Sequence, residues 1–192
     1  MKLHNTIIYL IGIPAVGKYT IAKEIGRLTD AKVVDNQLIN TPVFTVIDYD
    51  GTESFPFPHD AWKEIEKIRD AVIAVIRDYC PADSSFVFTN VLDANVPGDR
   101  QVFDRIEELA KQRNARFVPV WLTCDADVIR LRKNNSDRKA RLKDIDLTSI
   151  PWWSNQFQVL KVDHQNALTL DTSHTSPAET AELILKHISE KE

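Results

Sequence analysis

The sequence predicts a single α/β domain built on a parallel β-sheet, and two observations carry that prediction. Short apolar, β-branched runs alternate with amphipathic stretches along the chain, the pattern of β-α-β units whose strands are buried on both faces. The first such run leads directly into Gly12-Ile13-Pro14-Ala15-Val16-Gly17-Lys18-Tyr19-Thr20 and then into a helical period, giving the order strand, glycine-bounded loop, helix. A length of 192 residues with 43% hydrophobic content suits one sizeable core and is short for two, so one domain is expected over residues 1–192.

Residues 6–11 form the first predicted strand. Ile21, Ala22, Ile25 and Leu28 then recur at helical spacing, with Lys23, Glu24 and Arg27 on the opposite side. The connecting loop fits G-x-x-x-x-G-K, whose backbone amides and following helix N-terminus converge on a phosphate, with Lys18 reaching the β and γ phosphates. Tyr19 stands where the usual pattern has a magnesium-ligating hydroxyl, and the hydroxyl follows at Thr20. Ala15 occupies a loop position that tolerates it if its φ is negative.

Residues 31–35 read as a second strand ending in Asp35, followed by Asn36. At the carboxyl end of a parallel strand Asp35 faces the ligand crevice. There it would hold magnesium-bound water or orient an acceptor hydroxyl, against the alternative of a plain helix cap. Residues 37–60 read as an irregular, acceptor-side insertion, with Pro42, Pro56, Pro58 and the turn-like Asp48-Tyr49-Asp50-Gly51. Phe44, Tyr49, Phe55 and Phe57 within it either line an acceptor pocket or pack beneath the loop.

Asp60 is placed to cap a helix whose apolar stripe, Trp62, Ile65, Ile68, Val72, Ile73, Ile76 and Tyr79, reads as core. A third strand follows at 85–90, with Asn90 at its carboxyl end as either a substrate-facing amide or a turn residue, and a helix opens at Pro97-Gly98-Asp99. Arg100, near that helix start, reads by default as a solvated arginine and otherwise as a contact for an anionic substrate. The fourth strand spans 116–123 and contains Pro119, which implies an unpaired position or a displaced strand order. Asp125 caps a further helix through Val128, Ile129 and Leu131, and the most basic stretch of the chain runs from Arg130 through Arg132, Lys133, Arg138, Lys139 and Arg141 to Lys143. Such a run is either a solvated helix face or an arginine-rich lid of about 133–147. Pro151, Trp152, Trp153 and Phe157 read as packing, 166–171 as the fifth strand, and Ser176-Pro177-Ala178-Glu179 as a capping box opening the last helix.

A net charge of −4 argues against a broad nucleic-acid footprint. Cys80 and Cys124 lack metal-ligand spacing and read as reduced, buried residues of a cytoplasmic protein. The N-terminus shows no signal-peptide anatomy, and no apolar run reaches the ~18 residues of a membrane span.

The order of elements, with the loop after the first strand and the arginine-rich segment after the fourth, resembles the nucleoside monophosphate, shikimate and gluconate kinase group of small P-loop kinases. The loop itself, with Pro14 and Thr20, is similar to that of adenylate kinases, and Asp171-Thr172-Ser173-His174-Thr175-Ser176-Pro177 is similar to the tail of uncharacterised bacterial kinases in this group. The resemblance implies a P-loop NTPase three-layer sandwich with sheet order 2-3-1-4-5 and helices on both faces. It implies ATP and Mg²⁺ as cofactors, with Thr20 on a phosphate oxygen and the metal reached through water near Thr20 and Asp35. It further implies Arg138 near the γ phosphate, Arg130 or Arg132 near the adenine, and Thr172 and Ser173 in the loop passing over the base.

The paired arginines that would identify shikimate are absent, as is a clear nucleoside-monophosphate signature, and Asn134-Asn135-Ser136-Asp137 lacks the lysine of the guanine-reading N-K-x-D. The expected activity is ATP-dependent phosphoryl transfer to a small-molecule acceptor, with Lys18, Asp35 and Arg138 as catalytic residues and Asn36, Asn90 and Arg100 toward the substrate. The chain is expected to act as a monomer or weak homodimer. Two alternatives stay open: an ATP-binding switch or ATPase module acting through a partner, and a polynucleotide-end kinase.

Overall fold

Thr6–Ile11 forms strand β1, and every one of its residues is buried, because strands lie on both sides of it and helices on both faces. The computed structural model describes residues 2–50, 55–133 and 157–191. The other strands are β2 (Lys32–Asp35), β3 (Phe86–Asn90), β4 (Arg116–Thr123) and β5 (Leu168–Asp171). All four pairings are parallel, in the order β2-β3-β1-β4-β5 anticipated from the sequence.

Alternation along β1 divides the core into two layers. Ile8 and Leu10 point to one face, where they meet Ile21, Ala22 and Ile25 of α1 (Lys18–Thr29), Ile129 of α5 (Ala126–Lys133) and Ala181, Ile184 and Ile188 of α6 (Pro177–Ser189). Ile7, Tyr9 and Ile11 point to the other, against Ile76 of α3 (Ala61–Tyr79) and Val102, Phe103 and Ile106 of α4 (Pro97–Gln112). The predicted capping box closes the start of α6: the Ser176 hydroxyl accepts from the Glu179 amide, and the Glu179 carboxylate accepts from the Ser176 amide.

Pro119 sits inside β4 without disturbing strand order. It pairs in register with Tyr9 of β1, while the β4–β5 ladder begins one residue later, opposite Val120. The Phe117 carbonyl, on the same side of the strand by parity, accepts from the Asn166 side chain, so the donor that proline lacks faces the chain just before β5 rather than a ladder partner.

Four expectations are corrected. Residues 36–46 are helical, forming α2 (Asn36–Val46) with Pro42 inside it. Burial of Ile39 and Phe44 against Ile65 of α3 outweighs the amide bond that Pro42 cannot make, and the helix ends where Asp48 turns to φ 54°. The stripe on α3 is only partly core: Tyr79 is 81% exposed and Trp62 is exposed as well, while Arg69, at 5% exposure, occupies a buried position between Ile65 and Ile76. Asp60 stands at the helix start but its carboxylate pairs with Lys63 instead of capping an amide. Cys80 and Cys124 are free thiols and half-buried, not buried.

Gly12 ends β1 where the backbone passes close to β4. A Cβ at this position would lie 2.5 Å from the Leu122 carbonyl oxygen, a contact that only backbone movement relieves. Gly12→Ala is expected to destabilise the fold by about 1–3 kcal/mol, the range for overpacking a rigid interior site. Urea unfolding of the variant checks this, and a midpoint equal to wild type would contradict the close approach.

Candidate active site

The carboxyl ends of the strands open into one cleft of about 1020 Å³ that runs from the glycine loop to the helices α2, α3 and α4. Its donor end is the loop. Ala15 has φ 69° and Gly17 φ 98°, two left-handed residues that reverse the chain so that α1 starts at Lys18 with its amides facing the cleft. The condition set for Ala15 by its sequence position, a negative φ, is not met. A non-glycine residue in this conformation costs roughly 1–2 kcal/mol, which the buried packing of Ala15 in the first core layer helps to offset.

Lys18 folds back over the loop, its ammonium donating to the carbonyls of Gly12 (2.7 Å) and Ile13 (2.8 Å). The loop thus holds its own cation at the place where the first helical amides emerge. The Thr20 hydroxyl donates to the Gly17 carbonyl at 2.8 Å, which directs its lone pairs away from the helix axis, and Tyr19 lines the same cleft. Pro14, Val16 and Gly17 complete this wall, while Ile13 packs against the first core layer.

Thr172, at the end of β5, is the keystone of the opposite wall. Its hydroxyl lies within hydrogen-bond distance of the Val16 carbonyl (2.9 Å) and the Thr123 carbonyl (3.0 Å), tying the loop to β4. Arg132 reaches across from α5 and donates to the Thr172 hydroxyl (3.2 Å) and carbonyl (2.7 Å). Ser173 is buried beside it, receiving no cleft exposure: its hydroxyl bonds Asp171 and accepts from the Asp125 amide. Hydrogen bonds from the Ser173 amide and hydroxyl hold the Asp171 carboxyl below its usual range. Arg130 points outward and pairs with Asp127, so of the two arginines considered for the base it is Arg132 that lines the cleft.

Asp35 is buried at the end of β2 and faces the cleft. It occupies the N-cap position of α2, but its side chain makes no capping bond; the Thr89 hydroxyl donates to it at 2.5 Å, and the same hydroxyl accepts from the Asn36 amide. The cap alternative therefore does not describe this carboxylate. Asn90 is buried at the end of β3, where its carbonyl accepts from the Gly12 amide and so links the floor of the cleft to the loop. Arg100 is not brought to the cleft; it pairs with Asp104 one turn along the outer side of α4. Arg138 and the whole of 134–156, including Trp152 and Trp153, lie outside the described residues.

The structure adds residues that the sequence reading assigned no chemistry. Arg69 donates to the Asn36 side-chain carbonyl at 2.8 Å and to Glu66 at 3.3 Å. Arg105 of α4 forms a close ion pair with Glu66 and a second, 3.3 Å pair with Asp70. Beneath them the Tyr9 phenol has no hydrogen-bond partner among the described residues, and burial raises its pKa far above the usual range, with Asp99 and Glu66 adding to the rise and Arg69 opposing it. Burial also raises the Asp99 carboxyl, against the Asp93 amide that it accepts at 2.6 Å. The signal for Arg69 was present as a charge on the apolar stripe of α3, between Ile65 and Ile76; Glu66 and Arg105 carry no such mark, because their meeting depends on how α3 packs on α4.

A scan of protein-family models and a search of curated proteins find no match to the chain. Solved structures do match. A sugar kinase from Janibacter sp. aligns over 96% of this chain and 95% of its own, with a TM-score of 0.63 and 14% identity. A gluconokinase from Sinorhizobium meliloti aligns over 98% and 94%, at 0.59 and 14%. An APS kinase from Mycobacterium tuberculosis, in complex with AMPPNP and APS, aligns over 97% and 99%, at 0.61 and 14%. At these identities the likeness shows the fold, the P-loop NTPase α/β architecture over the length of the chain.

Because Arg132 joins α5 to the Thr172 loop by charge-assisted hydrogen bonds, Arg132→Ala is expected to lower stability by about 1–3 kcal/mol. Thermal unfolding measures the loss, and proteolysis should find the Thr172 loop more open. Wild-type values in both would show that these bonds do not hold the wall.

Proposed function

We propose that the protein is an ATP-dependent phosphotransferase that phosphorylates a small metabolite. The observation that carries this reading is the convergence, in one cleft, of a helix N-terminus with its lysine at one end and a buried carboxylate, Asp35, across from it. Phosphoryl transfer asks mainly for positioning and charge stabilisation, and this arrangement offers both. The amides at the start of α1 would cradle the β phosphate, and Lys18 would exchange the Gly12 and Ile13 carbonyls for the β and γ oxygens, to which an ammonium is more strongly attracted. Asp35, held by Thr89, would orient the acceptor hydroxyl in line with the γ phosphorus. Arg132 and Thr172 would border the base.

The cation-binding groups nearest the loop, the Thr20 hydroxyl and the Asp35 carboxylate, are hard oxygen donors that suit Mg²⁺. Bound Mg²⁺ would neutralise charge on the β and γ phosphates. The lid over about 133–147, with Arg138 toward the γ phosphate, belongs to this proposal on the strength of the sequence, as do a cytoplasmic location and a monomer or weak homodimer.

Screening a metabolite panel with labelled ATP tests the reading, since transfer to any acceptor separates a kinase from an ATPase switch. Lys18→Ala is expected to abolish transfer while leaving the fold intact, because the side chain contributes charge at the phosphates and little packing. Turnover at the wild-type rate would remove the loop from the mechanism. Arg138→Ala should lower kcat by roughly 10³-fold with a smaller change in ATP affinity, and Lys139→Ala should be mild. Equal, small effects of the two would reduce the basic run to a solvated surface.

A further inference from the structure

At the far end of the cleft from the glycine loop, both arginines are paired. Arg69 is buried and spends its bonds on Glu66 and Asn36; Arg105 spends its own on Glu66 and Asp70. Neither guanidinium is left as an uncompensated charge among the described residues. The carboxylates that face this end, Asp35, Glu66, Asp93 and Asp99, outnumber the two guanidinium groups. Among the described residues, an anionic acceptor at this end would therefore meet more carboxylates than guanidinium groups, with both candidate anchors already neutralised, and would have to break a part-buried ion pair to gain one.

The cleft-lining residues of α2 that carry a buried polar atom without a partner are neutral. The Asn40 side-chain carbonyl is buried with no hydrogen-bond partner, and the Gln37 side-chain nitrogen one turn earlier on α2 is in the same condition. Both residues line the cleft. An amide acceptor and an amide donor side by side on one helix face match a hydroxyl group, which accepts and donates at once. Next to them stand aromatic faces: Phe44 packs on Tyr49 at 4.7 Å between ring centroids and on Trp62 at 6.1 Å, and all three line the cleft. Such a wall suits the apolar face of a ring, while the amides read its edge.

Resting on the kinase reading above, we propose that the acceptor is an uncharged polyhydroxylated ring of the sugar or cyclitol class, read by Asn40 and Gln37 and seated on the Phe44–Tyr49–Trp62 wall, and that Glu66 excludes anionic analogues by neutralising Arg69 and Arg105. The transferred phosphoryl group leaves ADP and forms the new P–O bond to a ring hydroxyl, whose proton passes toward Asp35.

The test uses the full chain loaded with AMPPNP and Mg²⁺, whose own binding is titrated first. Ligand-observed NMR then compares neutral aldoses, ketoses and cyclitols with their carboxylate and phosphate counterparts, for example D-glucose with D-gluconate and myo-inositol with its monophosphate. At least one neutral member is expected to bind roughly tenfold or more tightly than its anionic partner. Glu66→Gln should raise affinity for the anionic partner by about tenfold and leave AMPPNP affinity unchanged. Asn40→Ala should weaken the neutral ligand roughly 3- to 10-fold, the effect of one lost buried hydrogen bond, with the nucleotide again unaffected. Preferred binding of an anionic member by the wild type, or binding of no neutral member, would overturn the proposal. The AMPPNP titration distinguishes that failure from failure of the kinase reading, which would show as absent nucleotide binding. Should Glu66→Gln not fold, the wild-type comparison and Asn40→Ala decide the question.

Discussion

The close approach of Gly12 to the Leu122 carbonyl sets the geometry on which the candidate site depends. Two central strands, β1 and β4, lie side by side through Ile11 opposite Trp121, and the chain can leave β1 at that height only if the next residue has no side chain. From there the loop returns through two left-handed residues, so that the first turn of α1 stands over the ends of the strands instead of beside them. The Gly12 amide donates to the Asn90 carbonyl and the Val16 carbonyl accepts from Thr172, which fastens the loop to β3 on one side and to the end of β5 on the other. The backbone of the loop is thereby fixed at both ends.

Charge is partitioned along the cleft. At the loop, the Lys18 ammonium donates to the backbone carbonyls of Gly12 and Ile13, neutral dipoles. Across the cleft, Arg69 and Arg105 are held by full carboxylate charges. The basic groups of the cleft therefore differ in their partners: the lysine donates to backbone carbonyls, whereas the guanidinium groups are paired with carboxylates and hold Glu66 and Asn36 in place. Tyr9 lies at the junction of core and cleft, stacking on Phe103 with its phenol directed toward the Arg69–Glu66 group, so the second core layer and the acceptor end share one buried wall.

Much of this was legible in the sequence because it is local. The strands are apolar runs with glycine, proline or aspartate at their ends, the loop is a contiguous motif, and the Ser176–Glu179 capping box depends on residues three apart. α2 was not legible: Pro42 and the surrounding turn-formers argue against a helix, and its burial depends on distant residues of α3, Ile65, Ile68 and Val72, together with Phe57. Arg100 and Arg105 illustrate the same limit. Both lie on α4, yet the first meets solvent and Asp104 while the second meets Glu66, a difference of helix phase relative to α3 that no motif records. Ala15 shows the converse, a residue that its neighbours force into a conformation its own preference opposes.

The central claim is that the loop and the start of α1 form a triphosphate site. A crystal structure of the full chain with AMPPNP and Mg²⁺ tests it most directly. The account predicts the β phosphate within hydrogen-bond distance of the backbone amides of residues 16–20, with the Lys18 ammonium moved from the Gly12 and Ile13 carbonyls onto the β and γ oxygens. A nucleotide bound elsewhere on the chain, or Lys18 still seated on those carbonyls beside a bound triphosphate, would contradict it.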